Sequence, residues 1–232
     1  MPIFESSMGL YYLVMILTAA IGGAAQLYVS SQLKKYSNVA STYNMTGAEM
    51  ARKMTLDKSI QEVGIRQGGA NQDFFDPRTN SVTLDPEAFN TNSVTALATA
   101  VHEVGHATQY ADGYAFMKFR SALVPVVNLA SQGWMIVFIL GAAMGMSPAG
   151  SLLMKIGIVM FAAVLLFHVV TLPVEFDASR RGLAYLKSIG TPQGELQGAT
   201  RVLRACAFTY VAAALTALLQ LLYLLASRSS NR

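Results

Sequence analysis

The chain has 232 residues, of which 53% are hydrophobic and only 13% charged, with a mean hydropathy of +0.40. An average soluble domain carries roughly 25% charged residues, so this composition argues against a soluble globular protein, a disordered chain or a nucleic-acid binder. A single cysteine, Cys206, excludes an internal disulfide and any cysteine-rich metal site.

Uncharged runs set the membrane plan, since a spanning helix needs about 20 mostly apolar residues. The first run, 28 residues between Glu5 and Lys34, has an apolar body at 9–29. It begins with Glu5 and no Lys or Arg, the opposite of a signal peptide's basic start, so a retained helix is expected.

The polar portion, 34–120, holds nine acids and nine bases. Thr46-Gly47-Ala48-Glu49 is a capping-box pattern that starts a short helix. Ser59–Arg66 alternates loosely like a strand, and Asp76–Asn80 is a turn sequence. Val82, Thr83 and Leu84 then form a short strand, expected either as an exposed edge on which a peptide substrate adds by main-chain hydrogen bonds or as a small structural hairpin covering the helix. Asp85-Pro86-Glu87 caps another helix start. From about Asn92 a longer helix runs through Tyr110.

That helix carries His102-Glu103-Val104-Gly105-His106, an HExxH motif that uses two of the chain's three histidines. The i, i+4 spacing places both imidazoles on one helix face, one turn apart, where both can ligate one ion. Neutral imidazole suits zinc, and Glu103 beside the first ligand is placed to take a proton from an activated water. Chance placement of this motif in such a histidine-poor chain is on the order of 10⁻³.

Three further uncharged runs follow: 34 residues between Arg120 and Lys155, 19 between Lys155 and Glu175, and 23 between Arg204 and Arg228. They give expected spans at about 123–144, 155–173 and 205–226. Asn128, Ser131 and Gln132 dilute the first of these and are expected to face other helices or a wet cavity. Of 17 Lys and Arg, 14 lie in 34–120 and 175–204. Both polar segments therefore read as cytoplasmic, with both termini outside. The positive net charge then needs no nucleic-acid partner. The expected fold class is mainly α, a multi-pass membrane protein of about four spanning helices with a small α+β zincin-like portion on the cytoplasmic side. One membrane-embedded unit over 1–232 is expected.

A third zinc ligand must come from the same side of the membrane. Glu175, Asp177 and His168 are the candidates. Glu175 stands just past Pro173 at the end of the third span, where an acid is expensive unless bound. His168 lies inside the span and reads as a core histidine.

His102-Glu103-Val104-Gly105-His106-Ala107-Thr108-Gln109 and Leu172-Pro173-Val174-Glu175-Phe176-Asp177-Ala178-Ser179-Arg180-Arg181 together resemble the bacterial YugP-type membrane zinc metallopeptidases. The resemblance extends over Thr46–Leu225, and more distantly to prenyl proteases of the CaaX type and heat-shock membrane proteases. It implies Glu175 as the third zinc ligand, one zinc per chain, and Ser179 where that wider group has an aspartate orienting a histidine ligand. A hydroxyl still forms one hydrogen bond there but lacks a carboxylate's charge. Tyr210, two turns into the last span, is either an oxyanion stabiliser or a packing residue.

The function expected is zinc-dependent endopeptidase action at the cytoplasmic membrane surface, on a peptide or membrane-protein substrate. An intramembrane-cleaving protease and a non-catalytic metal-binding scaffold or transporter are the alternatives. The bilayer is the surrounding partner, and a membrane-protein partner or second copy of the chain completes the expectation.

Overall fold

The computed structural model describes residues 2–145 and 147–229. The chain is mainly helical, with α1 (Pro2–Ser37), α2 (Gly47–Asp57), α3 (Pro86–Asn90), α4 (Val94–Ala111), α5 (Ala115–Ala143), α6 (Pro148–Ser188) and α7 (Gln193–Ser229). A small sheet of β1 (Gly64–Gln67), β2 (Phe74–Asp76) and β3 (Ser81–Leu84) interrupts this series. Among the described residues, α1, α5, α6 and α7 are long and apolar enough to cross a membrane. Each runs past the apolar stretch that marks it in the sequence. Charge ends a span but not a helix, so α1 simply continues through Lys34 and Lys35 to Ser37.

Pro173 does not end α6, which is one helix of 41 residues with that proline inside it. Glu175 is thus a mid-helix residue. Long membrane helices tolerate proline because neighbouring groups and local adjustment satisfy the freed carbonyl.

The chain divides into two compact units. One comprises Met1–Ala25, Phe119–Thr171 and Tyr210–Arg232. Its apolar cluster has Ile158, Phe161, Ala217 and Leu224 at the centre, with Trp134 and Phe138 against them. The rings of Trp134 and Phe161 lie 4.5 Å apart. A Cβ on Gly157 would fall 2.9 Å from the Phe138 Cβ, so α5 and α6 approach closely at a residue with no side chain, as membrane helices commonly do. On α5, Val127 and Ala130 are buried while Asn128, Ser131 and Gln132 are exposed. Ser131 satisfies its hydroxyl on its own helix by donating to the Asn128 carbonyl at 3.2 Å.

The other unit comprises Gln26–Lys118 and Leu172–Thr209. Its core draws Met50 and Met54 from α2, Val82 and Leu84 from β3, Val101 and Val104 from α4, Val174 and Leu186 from α6, and Val202 from α7. Thr46 caps α2 with the full reciprocal box to Glu49, as its sequence pattern predicts. The Ser93 hydroxyl caps α4 by accepting from Ala96 N at 3.1 Å. The sheet order is β1-β3-β2, with β1 parallel and β2 antiparallel to β3.

This order corrects one expectation. Val82, Thr83 and Leu84 belong to the middle strand, paired on both sides, and every residue of β3 is buried. They cannot present an exposed edge to a substrate. The edges are β1 and β2, and β2 is the one that packs with α4. Local alternation in a four-residue strand reveals that it is a strand but not who its neighbours are. Its parallel partner β1 comes from 17 residues upstream through a non-local pairing.

Candidate metal centre

Two helices of the second unit build the site. α4 supplies His102, Glu103 and His106, and α6 supplies Glu175. The helices meet at Gly105, inside the HExxH motif, where a Cβ would stand 2.5 Å from the Ala178 carbonyl oxygen. One turn earlier on α4, the Val101 carbonyl lies 2.9 Å from where a Cβ on Gly182 would be. Backbone thus rests on backbone at both places, which brings α6 close enough for a glutamate to reach both imidazoles.

The Glu175 Oε2 lies 3.2 Å from His102 Nε2 and 3.5 Å from His106 Nε2. One ligand atom from each of the three residues falls within 4.8 Å of the other two. The imidazole rings stand 4.7 Å apart at 80°. Glu175 is 2% exposed, His106 and Glu103 6% each. A dehydrated anion facing two ring nitrogens is what a bound divalent cation compensates. Two nitrogens and one carboxylate oxygen match the protein donor set of a catalytic zinc site.

The far ring nitrogens are held too. Ser179 Oγ is 3.1 Å from His102 Nδ1. His106 Nδ1 is 3.0 Å from Gln109 Oε1. Both rings therefore turn Nε2 toward Glu175 with Nδ1 engaged from behind, the arrangement that fixes imidazole ligands to metals. Gln109 lies outside the HExxH pattern, three residues beyond its second histidine. Its spacing of three from His106 was the available signal, because residues i and i+3 are helix neighbours.

Asp177 does not join the donors. Its carboxylate accepts from Gln109 Nε2 at 3.0 Å, from Arg181 Nε at 2.6 Å and from Arg180. His168 and Tyr210 belong to the first unit, as parts of α6 and α7. Tyr210 is half-buried there.

A family model described as "Putative neutral zinc metallopeptidase" matches residues 11–229. The chain is also 37% identical over 213 residues to a protein named "Putative membrane protease YugP" from Bacillus subtilis (strain 168), covering 90% of this chain and 93% of that one. No solved structure matches.

Proposed function

Because the chain belongs to this zinc metallopeptidase family, we propose that it is a zinc-dependent membrane endopeptidase that hydrolyses peptide bonds at the cytoplasmic membrane surface. The observation that carries the reading is the convergence of His102 Nε2, His106 Nε2 and a buried Glu175 carboxylate, with each imidazole held at its other nitrogen. These three residues would hold the ion. When bound, zinc supplies Lewis acidity toward the scissile carbonyl and acidifies water in its shell.

The chain's own groups do the rest. The Glu103 carboxylate, on the residue after the first ligand, takes the proton from the attacking water and delivers it to the departing amine nitrogen. Burial of Glu103 on α4 limits competing solvent around that carboxylate. Ser179 and Gln109 keep the two rings turned so that Nε2 stays available. An extended peptide would lie along β2, the sheet edge on the α4 side, where main-chain hydrogen bonds accept any sequence.

A peptide-library digestion by detergent-purified protein tests the activity. Cleavage that disappears with a chelator and returns on adding one equivalent of zinc is expected. Binding of zinc without any cleavage across the library would leave a metal-binding scaffold.

The sidedness is tested in intact cells. Gln61 and Ser188 are both exposed, one in each polar segment. Single cysteines at these positions, in a Cys206→Ala background, are expected to resist membrane-impermeant thiol reagents. Labelling of both would invert the topology, and labelling of one alone would break the even number of crossings between them.

A further inference from the structure

Gln109 is 0% exposed, yet its amide is fully occupied. Nε2 donates to the Val174 carbonyl at 2.8 Å and to Asp177 Oδ2 at 3.0 Å, which uses both amide hydrogens. The orientation of the amide is thereby fixed, and Oε1 is left facing His106 Nδ1 at 3.0 Å. An oxygen in that place accepts the ring proton. The lone pair is then on Nε2, the atom 3.5 Å from Glu175 Oε2. Val174 immediately precedes Glu175, so the same amide grips the backbone beside the third donor.

The grip is anchored further out. Asp177 is held by Arg180 and by Arg181, and Arg181 also engages Asp112, the C-cap of α4. The contacts thus leave α4 at Gln109, cross to α6 at Asp177, and return to α4 at Asp112. A glutamine that merely filled space would have no need of three specific partners, and an uncommitted buried amide would cost free energy.

We propose that Gln109 is the positioning residue of this centre: through its contacts with His106 and Val174 it sets the tautomer of the His106 ring and the reach between that ring and Glu175, with Asp177 and Arg181 as its anchor. The effect on zinc rests on the metal reading given above, whereas the effect on the ring does not.

The test uses the full chain in detergent with ring-¹⁵N histidine. Only three histidines are present, so each ring can be assigned by substitution. In the metal-free protein, His106 is expected as the Nδ1–H tautomer. Gln109→Met keeps the volume and removes every hydrogen bond. It is expected to shift His106 away from that tautomer and to weaken zinc binding 10–100-fold by chelator competition, the usual cost of losing a group that orients a ligand. Gln109→Glu combined with Asp177→Asn restores an acceptor toward His106 but sets a carboxylate oxygen against the Val174 carbonyl, so it is expected to recover the tautomer and not the zinc affinity. A purely structural tie between helices would lower the melting temperature and leave both unchanged.

A folded Gln109→Met protein with the wild-type tautomer and zinc affinity would overturn the proposal. If that variant does not fold, Asp177→Leu alone is measured, which removes the acceptor for Gln109 Nε2. A few-fold loss of zinc affinity with an altered His106 signal supports the proposal, and no change in either overturns it. A wild-type protein that takes up no zinc, but whose His106 tautomer still responds to Gln109→Met, would remove the metal reading and keep the positioning role.

Discussion

Glu103→Gln is expected to leave about one zinc per chain in place and to remove most turnover. The amide is nearly the same size as the carboxylate and keeps its hydrogen-bonding reach, but it cannot accept a proton at neutral pH. Positioned acid–base groups contribute typically 10²–10⁴-fold, or about 2.7–5.4 kcal/mol at about 1.36 kcal/mol for each factor of ten. The loss should fall on kcat and on kcat/KM alike, because the proton is in flight only in the transition state. Metal analysis beside steady-state kinetics on one preparation checks both halves. A variant that loses its zinc but keeps the residual turnover of the wild type would contradict the role, since Glu103 would then be supporting the metal rather than the reaction.

Glu175→Ala is expected to strip the metal. Glu175 is the donor that α6 brings to the two imidazoles of α4, and it is 2% exposed. Its removal takes away the one negative charge among the three donors and leaves two rings with no third protein ligand. The fall in zinc affinity should exceed the 10–100-fold typical of losing an orienting group behind a ligand. Asp177→Ala, two residues along the same helix, should cost less, because Asp177 meets Gln109 and the two arginines rather than the donors. Chelator-competition titrations of the two variants check the ranking, and the reverse order would sink the ligand assignment.

The residues whose roles depend on spacing along one element were readable in the sequence. The HExxH spacing put two imidazoles on one helix face, and the uncharged runs located four helices apolar enough to span a bilayer. The Thr46–Glu49 capping box formed as its pattern indicates. Glu175 was reachable because a carboxylate abutting a span needs a partner, and the structure places it against both rings.

What escaped depends on which elements become neighbours. The neighbours of Val82–Leu84 could not be seen in four residues, so a middle strand was read as an edge. The commitment of Gln109 to Val174 and Asp177 needs α6 to lie across α4, and that approach rests on Gly105 and Gly182, whose missing side chains carry no signal of what fills the space. The extent of α6 through Pro173 was hidden because proline reads locally as a stop, while a long packed helix tolerates it.

The central claim is that one zinc ion is held by His102, His106 and Glu175. The X-ray absorption spectrum at the zinc edge, recorded on the purified wild-type protein, tests it most directly. Two imidazole nitrogens at about 2.0–2.1 Å and oxygen ligands at about 2.0–2.2 Å are expected, with no sulfur near 2.3 Å. The imidazole signal should halve in His106→Ala samples that retain metal. A shell containing sulfur, or three imidazoles, or a protein that takes up no zinc, would contradict it.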